Sequence, residues 1–540
     1  MPSPSINFSA GTVVTSTWLN AVDASLFDFV VNVREWGATG DGTTDDRTVI
    51  QAAIDFVAGR GGGTVFFPKG TYIIGDASVN SSGAAAGRCD LEITSSNMTF
   101  RGERGAILKA KGGVVTSLEM SSLLFAFQKT DITIESLVID GNKANNDIND
   151  NYGNGINIWD CKRVSIINNH IYNCARDGIT ITDQTRLSPA ALGNEDIMIA
   201  NNLVTGCRAT SQTTGGEGII VVQGDRIIIE NNISQGNWRG IELETLATTA
   251  DYRGCVNITV TGNICNNNEY GGIGINGPSR VNLTGNVCDG NDLYGIRINS
   301  SIPVTTSEIT LTGNRVTGPS TTGVSIENYQ ELTLASNSIQ NCTKNLYLTD
   351  VVNIVINGNV IAGATQHGVD FLIGTNNTLL FTGNMIRASN QSAGAFDNVA
   401  GNANYAIFSA NRIEGTSARY GINAAGSSWT IIGNSLDNSG TTGIINDTTS
   451  GGARIRDNGG FITEQAGAVT INSGSTSVVV SHGCSKTPNL SSITVTLGEN
   501  PTATAGDIWV STITSTQFTI NCRNNPGVSN LDIGWKVQII

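Results

Sequence analysis

Charge is scarce in this 540-residue chain. Asp, Glu, Lys and Arg make up 14% of it, and 45 acids against 31 bases leave a formal charge of −14. So few cations exclude the basic stripe that nucleic-acid phosphates require, and the polybasic patch that an anionic membrane surface attracts. Neutral partners are expected instead, and a sugar polymer fits. No apolar run approaches the ~18 residues of a membrane span, so no membrane insertion is expected. The N-terminus, MPSPSINFSAGTVVTSTWLN, lacks the basic segment and apolar core of a Sec-type signal peptide. Synthesis in a cytoplasm is the expectation, with another route outward if the protein works outside. The 10 cysteines contain no CxxC spacing, which argues against zinc and thioredoxin-like sites. Histidines are only His170, His367 and His482, with no Ser-His-Asp order, and are read as structural.

What the chain has in abundance is glycine (64 residues) and a repeated phrase. NITVTGNIC returns as RVNLTGNVC, and EYGGIGIN returns as LYGIRIN. The recurring turn can be aligned on Asn169, Asn202, Asn232, Asn263, Asn286, Asn314, Asn337, Asn359, Asn384, Asn411 and Asn434. Successive gaps are 33, 30, 31, 23, 28, 23, 22, 25, 27 and 23 residues. A floor of 22–23 with variable insertions is the mark of a solenoid. Short alternating segments such as GIRIN predict strands, and Gly and Asn supply the left-handed backbone of tight corners. Three short strands and three corners per repeat predict one coil of a parallel β-helix.

Two residues after the turn Asn stand Ile171, Val204, Cys265, Cys288, Val316, Ile339, Ile361, Ile386, Ile413 and Leu436, an apolar column that predicts an inward position. Cys174, Cys207 and Cys342 fall in another column. These thiols are expected to be small buried hydrophobes. Residues 32–75 contain DDRTVIQAAIDFVA, read as a helix with acids in its first turn and Gly59 after its end. TVFFP and TYIIG then read as a strand pair. The helix would cover the edge of the terminal coil. Asp41, Asp45 and Asp46 are assigned to helix capping rather than catalysis. After about residue 460 the coil pattern stops, and longer alternating segments predict an antiparallel β-sandwich.

The stretch GATGDGTTDD…IQAAID…GGGTVFFPKGTYIIG, with the Gly-Asn coils behind it, resembles the opening segment of the pectate-lyase-like superfamily. Within that superfamily, bacteriophage tailspikes and β-helical capsule or O-antigen depolymerases look most similar. The resemblance implies an all-β, right-handed parallel β-helix and a homotrimer. It implies a partner in bacterial surface polysaccharide, attachment to a phage tail or baseplate protein through the N-terminus, and location in the virion tail. The organisation expected is a connector at 1–30, a capped β-helix at 31–460 and a C-terminal β domain at 461–540 that locks the trimer or binds sugar. The paired-Asp and Gly-His-Gly signatures of plant-type polygalacturonases are absent, so that family's catalytic residues are not carried over.

The three longest gaps are consecutive, between Asn169 and Asn263, and insertions mark a solenoid's working face. Strands there align on Gly178, Gly218, Gly240, Gly272, Gly295 and Gly323, with Ile179, Ile219 and Ile241 predicted inward. Alternation then points Thr180/Thr182, Ile220/Val222, Glu242/Glu244 and Arg297/Asn299 outward. Asp177, Glu217 and Arg239 precede the glycines, and Asp160 and Asp183 follow the strands. The result is a carboxylate cluster on one exposed face. Glu242, Glu244, Glu217 and Asp183 are the catalytic candidates. Neighbouring coils lie ~4.8 Å apart and i,i+2 residues ~6.5–7 Å apart, against ~5–5.5 Å for retaining and ~6.5–9.5 Å for inverting glycosidases. Trp238 and Tyr252 are candidates to stack on sugar rings, Arg239 or Arg297 to hold an acidic sugar, and Asp177 and Trp159 are further substrate-binding candidates. No cofactor or metal is expected; a calcium cluster is the alternative use of the acids. The expected activity is endo-glycosidic hydrolysis of surface polysaccharide. Lyase, non-catalytic adhesin and C5-epimerase are the alternatives.

Overall fold

The computed structural model describes residues 29–539 apart from 76–77, 80–86, 114–119, 147–152, 183–192, 209–214, 246–253, 301–307, 319–320, 373–377, 389–395, 399–404, 415–419, 427, 438–442, 450–451 and 499–504. The chain forms two compact units, Met1–Thr259 and Val260–Ile540.

In the first unit each coil gives one strand to each of three faces. A representative coil runs Lys162–Ile167 on the first face, His170–Tyr172 on the second and Ile179–Thr182 on the third. Every strand of that coil pairs in parallel with its equivalent one coil on: Ile166 with Ile199, Ile171 with Val204, and Ile179 with Ile219. Like side chains therefore stack on like side chains, and Ile179, Ile219 and Ile241 are all fully buried. Each such isoleucine contributes roughly 1.5–3 kcal/mol on burial. Gly63–Phe67 and Gly70–Ile74 turn a corner onto different faces rather than pairing with each other, because a solenoid pairs between coils and not between consecutive strands.

The helix spans Arg47–Gly59 and buries Ile50, Ala53, Ile54 and Val57. Gly59 closes the helix instead of following it, and no acid lies in its first turn. The expected capping role holds for the Asp45 side chain and is corrected for those of Asp41 and Asp46. Asp46 turns back, its carboxylate accepting from Thr39 N and Oγ1 and from Gly40 N. Asp41 accepts from the amides of Thr43 and Thr44. Asp45 alone faces the helix start, accepting from Arg47 N at 3.2 Å. The edge cover is chemical as well as steric. Gln51 donates from Nε2 to Glu92 O (3.0 Å) and accepts from Glu92 N (2.9 Å), so one side chain satisfies both main-chain groups of Glu92, in Gly87–Ile93, as a strand would.

In the second unit the coils run to Arg454–Arg456, with Phe381, Phe408 and Trp429 stacked at 4.9 and 5.2 Å between ring centroids. Beyond them lie two antiparallel three-stranded sheets. One joins Glu464–Ile471, Leu531–Gln538 and Ile493–Leu497; the other joins Ser477–Ser481, Gln517–Cys522 and Ile508–Ser511. They close around Ile471, Val480, Phe518, Ile520, Ile533 and Val537 as a β-sandwich. The fold is thus a right-handed parallel β-helix with a helical N-terminal cap and a C-terminal sandwich.

The turn asparagines do more than bend the chain. The left-handed residue is the one before each of them: Asn168, Asn201, Gly285, Gly313, Ser336 and Ala410 among others. The aligned asparagines are themselves buried and form a ladder. Asn314 Oδ1 accepts from the N and Nδ2 of Asn286 (3.0 Å each), while Asn314 Nδ2 donates to Leu283 O (2.9 Å). The pattern repeats from Asn169 to Asn232 in the first unit and from Asn263 to Asn458 in the second.

The apolar column after the ladder is buried as expected, with one polar member. Ser234 occupies it beside Asn232, its hydroxyl donating to Gly240 O at 2.7 Å. All ten cysteines are buried and free, and burial pushes the Cys161 and Cys342 thiols up to about 12. His482 is structural, its Nδ1 accepting from Cys484 N.

Candidate active site

The third face of the first unit is built from Gly153–Trp159, Ile179–Thr182, Glu217–Val222 and Arg239–Glu244. At its edge, the residue before each leading glycine forms a column of Asn154, Asp177, Glu217 and Arg239. The glycines bring the coils this close: a Cβ on Gly178 would stand 2.6 Å from Gly218 O and 2.3 Å from Val204 Cγ1.

The column is wired together. Asp177 Oδ1 accepts from Glu217 N (3.0 Å), and Thr180 Oγ1 donates to Asp177 Oδ2 (3.3 Å). Glu217 Oε2 accepts from Gly216 N (3.1 Å) and Oε1 from Arg239 Nη1 (2.9 Å). The same guanidinium lies 3.6 Å from Glu242 Oε2, and Arg176 lies 3.4 Å from Asp177. One arginine spanning Glu217 and Glu242 limits their carboxyl separation to about 9 Å, which admits both glycosidase spacings. Burial raises the Glu217 carboxyl to about 8, helped by the charges of Asp177 and Glu242 and opposed by Arg239. Glu217 thus sits with its carboxyl raised, beside a guanidinium and a second glutamate.

The expectation of an exposed carboxylate face is corrected. Glu217 is 3% and Glu242 7% exposed, and the outward Thr180, Ile220 and Val222 are also buried. Ile220 and Val222 were the sequence signal, since apolar residues at outward positions mark a face withdrawn from water. Glu244, beside Val222, is half-exposed. Trp238 sits beneath Arg208, whose guanidinium is 4.5 Å from the ring centroid. Trp159 packs with Cys89, Phe125 and Phe127 in an apolar cluster. Arg297 belongs to the second unit, 3.8 Å from Glu327. Asp183, Tyr252, most of the three long insertions and residues 1–28 of the 1–30 connector lie outside the described residues. Sequence reasoning missed Arg176 and Arg208, which stand at corners where no alternation identifies a direction.

Two family descriptions match parts of the chain: right-handed beta helix region at residues 271–413, and periplasmic copper-binding protein (NosD) at residues 189–331. The latter stretch has no histidine and a single methionine, Met198. Its cysteines are buried, and no group of three His, Cys, Asp or Glu side chains suited to a metal occurs among the described residues. These residues do not fit a copper centre. Among curated proteins, mannuronan C5-epimerase AlgE6 of Azotobacter vinelandii is 35% identical over 117 residues, 21% of this chain and 13% of that protein. Alginate lyase 7 of the same organism is 38% identical over 115 residues, again 21% and 13%. The chain thus spans about an eighth of these relatives' length. Among solved structures, a tailspike protein mutant of E. coli bacteriophage HK620 in complex with pentasaccharide superposes with a TM-score of 0.58. It is 12% identical, with 96% of this chain and 95% of that one covered, and shares the fold.

Proposed function

We propose that this protein is a tailspike-type depolymerase that binds bacterial surface polysaccharide, capsule or O-antigen, and cleaves it by endo-glycosidic hydrolysis. The observation that carries the reading is the buried Asp177–Glu217–Arg239–Glu242 constellation, in which Arg239 bridges two carboxyls and burial raises that of Glu217. Glu217 is the proton donor to the leaving oxygen, and Glu242 activates the attacking water. Arg239 holds the two in register, and half-exposed Glu244 with Trp238 meets the sugar. The resemblance in residues 37–75 supports the tailspike assignment, and with it a homotrimer joined to a phage tail through the N-terminal segment.

A second reading is polysaccharide lysis by β-elimination, favoured by the 38% identity to an alginate lyase over 115 residues. Incubation with polysaccharides from a bacterial panel, followed by mass spectrometry of the products, tests both. Fragments heavier by one water support hydrolysis. Fragments absorbing at the unsaturated-uronate band transfer the activity to elimination. Intact polymer with every member of the panel contradicts both.

A further inference from the structure

We propose that the third face of the second unit carries a separate carbohydrate subsite, formed by Tyr294, Arg297, Glu327, Lys344, Tyr347 and Asp370, which takes uncharged, hydroxyl-rich sugar residues. The inference rests on the reading that the chain acts on polysaccharide.

Arg297, Ser325, Tyr347 and Asp370 are successive register partners, one per coil, in a single outward column. At ~4.8 Å per coil the column spans about 14 Å, a length suited to a short oligosaccharide. Lys344 Nζ lies 2.6 Å from Asp370 Oδ2 and 4.7 Å from the Tyr347 ring centroid. Arg297 repeats the arrangement, 3.8 Å from Glu327 and 5.8 Å from the Tyr294 ring. Ser325 Oγ completes it by donating to Glu327 Oε1 at 2.9 Å. Each cation thus has a carboxylate beside it and an aromatic ring beneath it.

Two ion pairs that pin coils elsewhere look different. Arg163–Asp131 and Arg226–Asp196 stand exposed at corners, at positive φ, and among the described residues neither arginine contacts a ring. Pinning coils needs no rings. The half-exposed Tyr347 ring, flanked by donors and acceptors, suits a pyranose, which offers an apolar face and a rim of hydroxyls, while Tyr294 and Asp370, 6% and 4% exposed, back the cations. The charges of the cluster cancel in pairs. A sugar carboxylate would have to displace Asp370 or Glu327 from its cation, whereas hydroxyls donate to the carboxylates and accept from the cations without separating them.

The test is affinity electrophoresis of wild-type protein, Tyr347→Ala, Asp370→Asn and Arg163→Ala through gels containing each polysaccharide of the panel, with thermal melting of every variant. The expected result is retardation of wild type by a polymer containing neutral sugars. Arg163→Ala, at an exposed corner outside both sites, should be retarded equally, and Tyr347→Ala and Asp370→Asn should bind at least about tenfold more weakly, the equivalent of one charge-assisted hydrogen bond. If no polymer retards wild type, the polysaccharide reading falls and the subsite with it. If wild type and both subsite variants are retarded alike, the subsite falls alone. Retardation only by uronate-rich polymers overturns the neutral specificity. Hydrogen exchange on the wild type gives a check free of substitution: polysaccharide must protect Lys344–Thr349 and His367–Leu372, and unchanged exchange there overturns the proposal.

Discussion

Glu217 shows how a single burial sets both stability and chemistry. Its carboxyl sits above its ordinary 4.5, at about 8, chiefly because the charged form is desolvated. A raised folded-state value means that the protonated form's contribution to stability is complete below pH 4.5 and is lost as pH rises through about 8. Glu217→Gln keeps the shape and removes the titration. The difference in melting temperature between variant and wild type should move in the variant's favour as pH rises from 4.5 to 8, whatever its starting offset. Differential scanning calorimetry across that range checks it, and a pH-independent difference contradicts the burial account. Glu217 was readable as a candidate because it precedes Gly218 in a strand. Its partner Arg239 was readable for the same reason beside Gly240, but its double contact, to Glu217 on the neighbouring coil and to Glu242 three residues on in its own strand, depends on side-chain reach, which spacing alone does not specify.

At the scale of the element, the asparagine ladder is the device that repeats. Asn337 donates to Leu311 O and Asn359 Oδ1, and its own Oδ1 accepts from the N and Nδ2 of Asn314. Truncation at Asn337→Ala leaves buried donors and an acceptor unpaired on two neighbouring coils, and should cost about 2–4 kcal/mol. Urea unfolding measures it, and a loss below about 0.5 kcal/mol, typical of a surface turn, would remove the ladder's role. The 22–33-residue period of these asparagines was legible, and so was the inward column two residues on. Their burial was not, because Asn is equally at home in a left-handed turn, and the turn conformation in fact belongs to the preceding residue. Ser234 escaped for a related reason: an inward serine is recognised only once Gly240 O is placed against it. The acids Asp41 and Asp46 read as helix caps because they precede an amphipathic run. Their carboxylates serve the turn at 39–44 instead.

On the scale of the whole molecule, a fixed minimum repeat with insertions was enough to specify a solenoid, because stacked coils bury one continuous core and only the corners tolerate added residues. The C-terminal sandwich was legible from the change to longer alternating strands. The outward face was harder, since alternation tells which way a side chain points but not whether water reaches it. That is why Glu242, placed correctly as outward, proved buried. Assembly belongs to this scale too. The tailspike reading predicts a light-scattering mass three times that of the 56.5 kDa chain, and a single-chain mass contradicts it.

The most direct measurement is the rate of polysaccharide cleavage, as a function of pH, by wild type, Glu217→Gln and Glu242→Gln. The account predicts water-added fragments from wild type, with a rate that declines as pH rises through about 8 and the donor loses its proton. Each variant should be slower by roughly 10²-fold or more. Undiminished cleavage by both variants would contradict it.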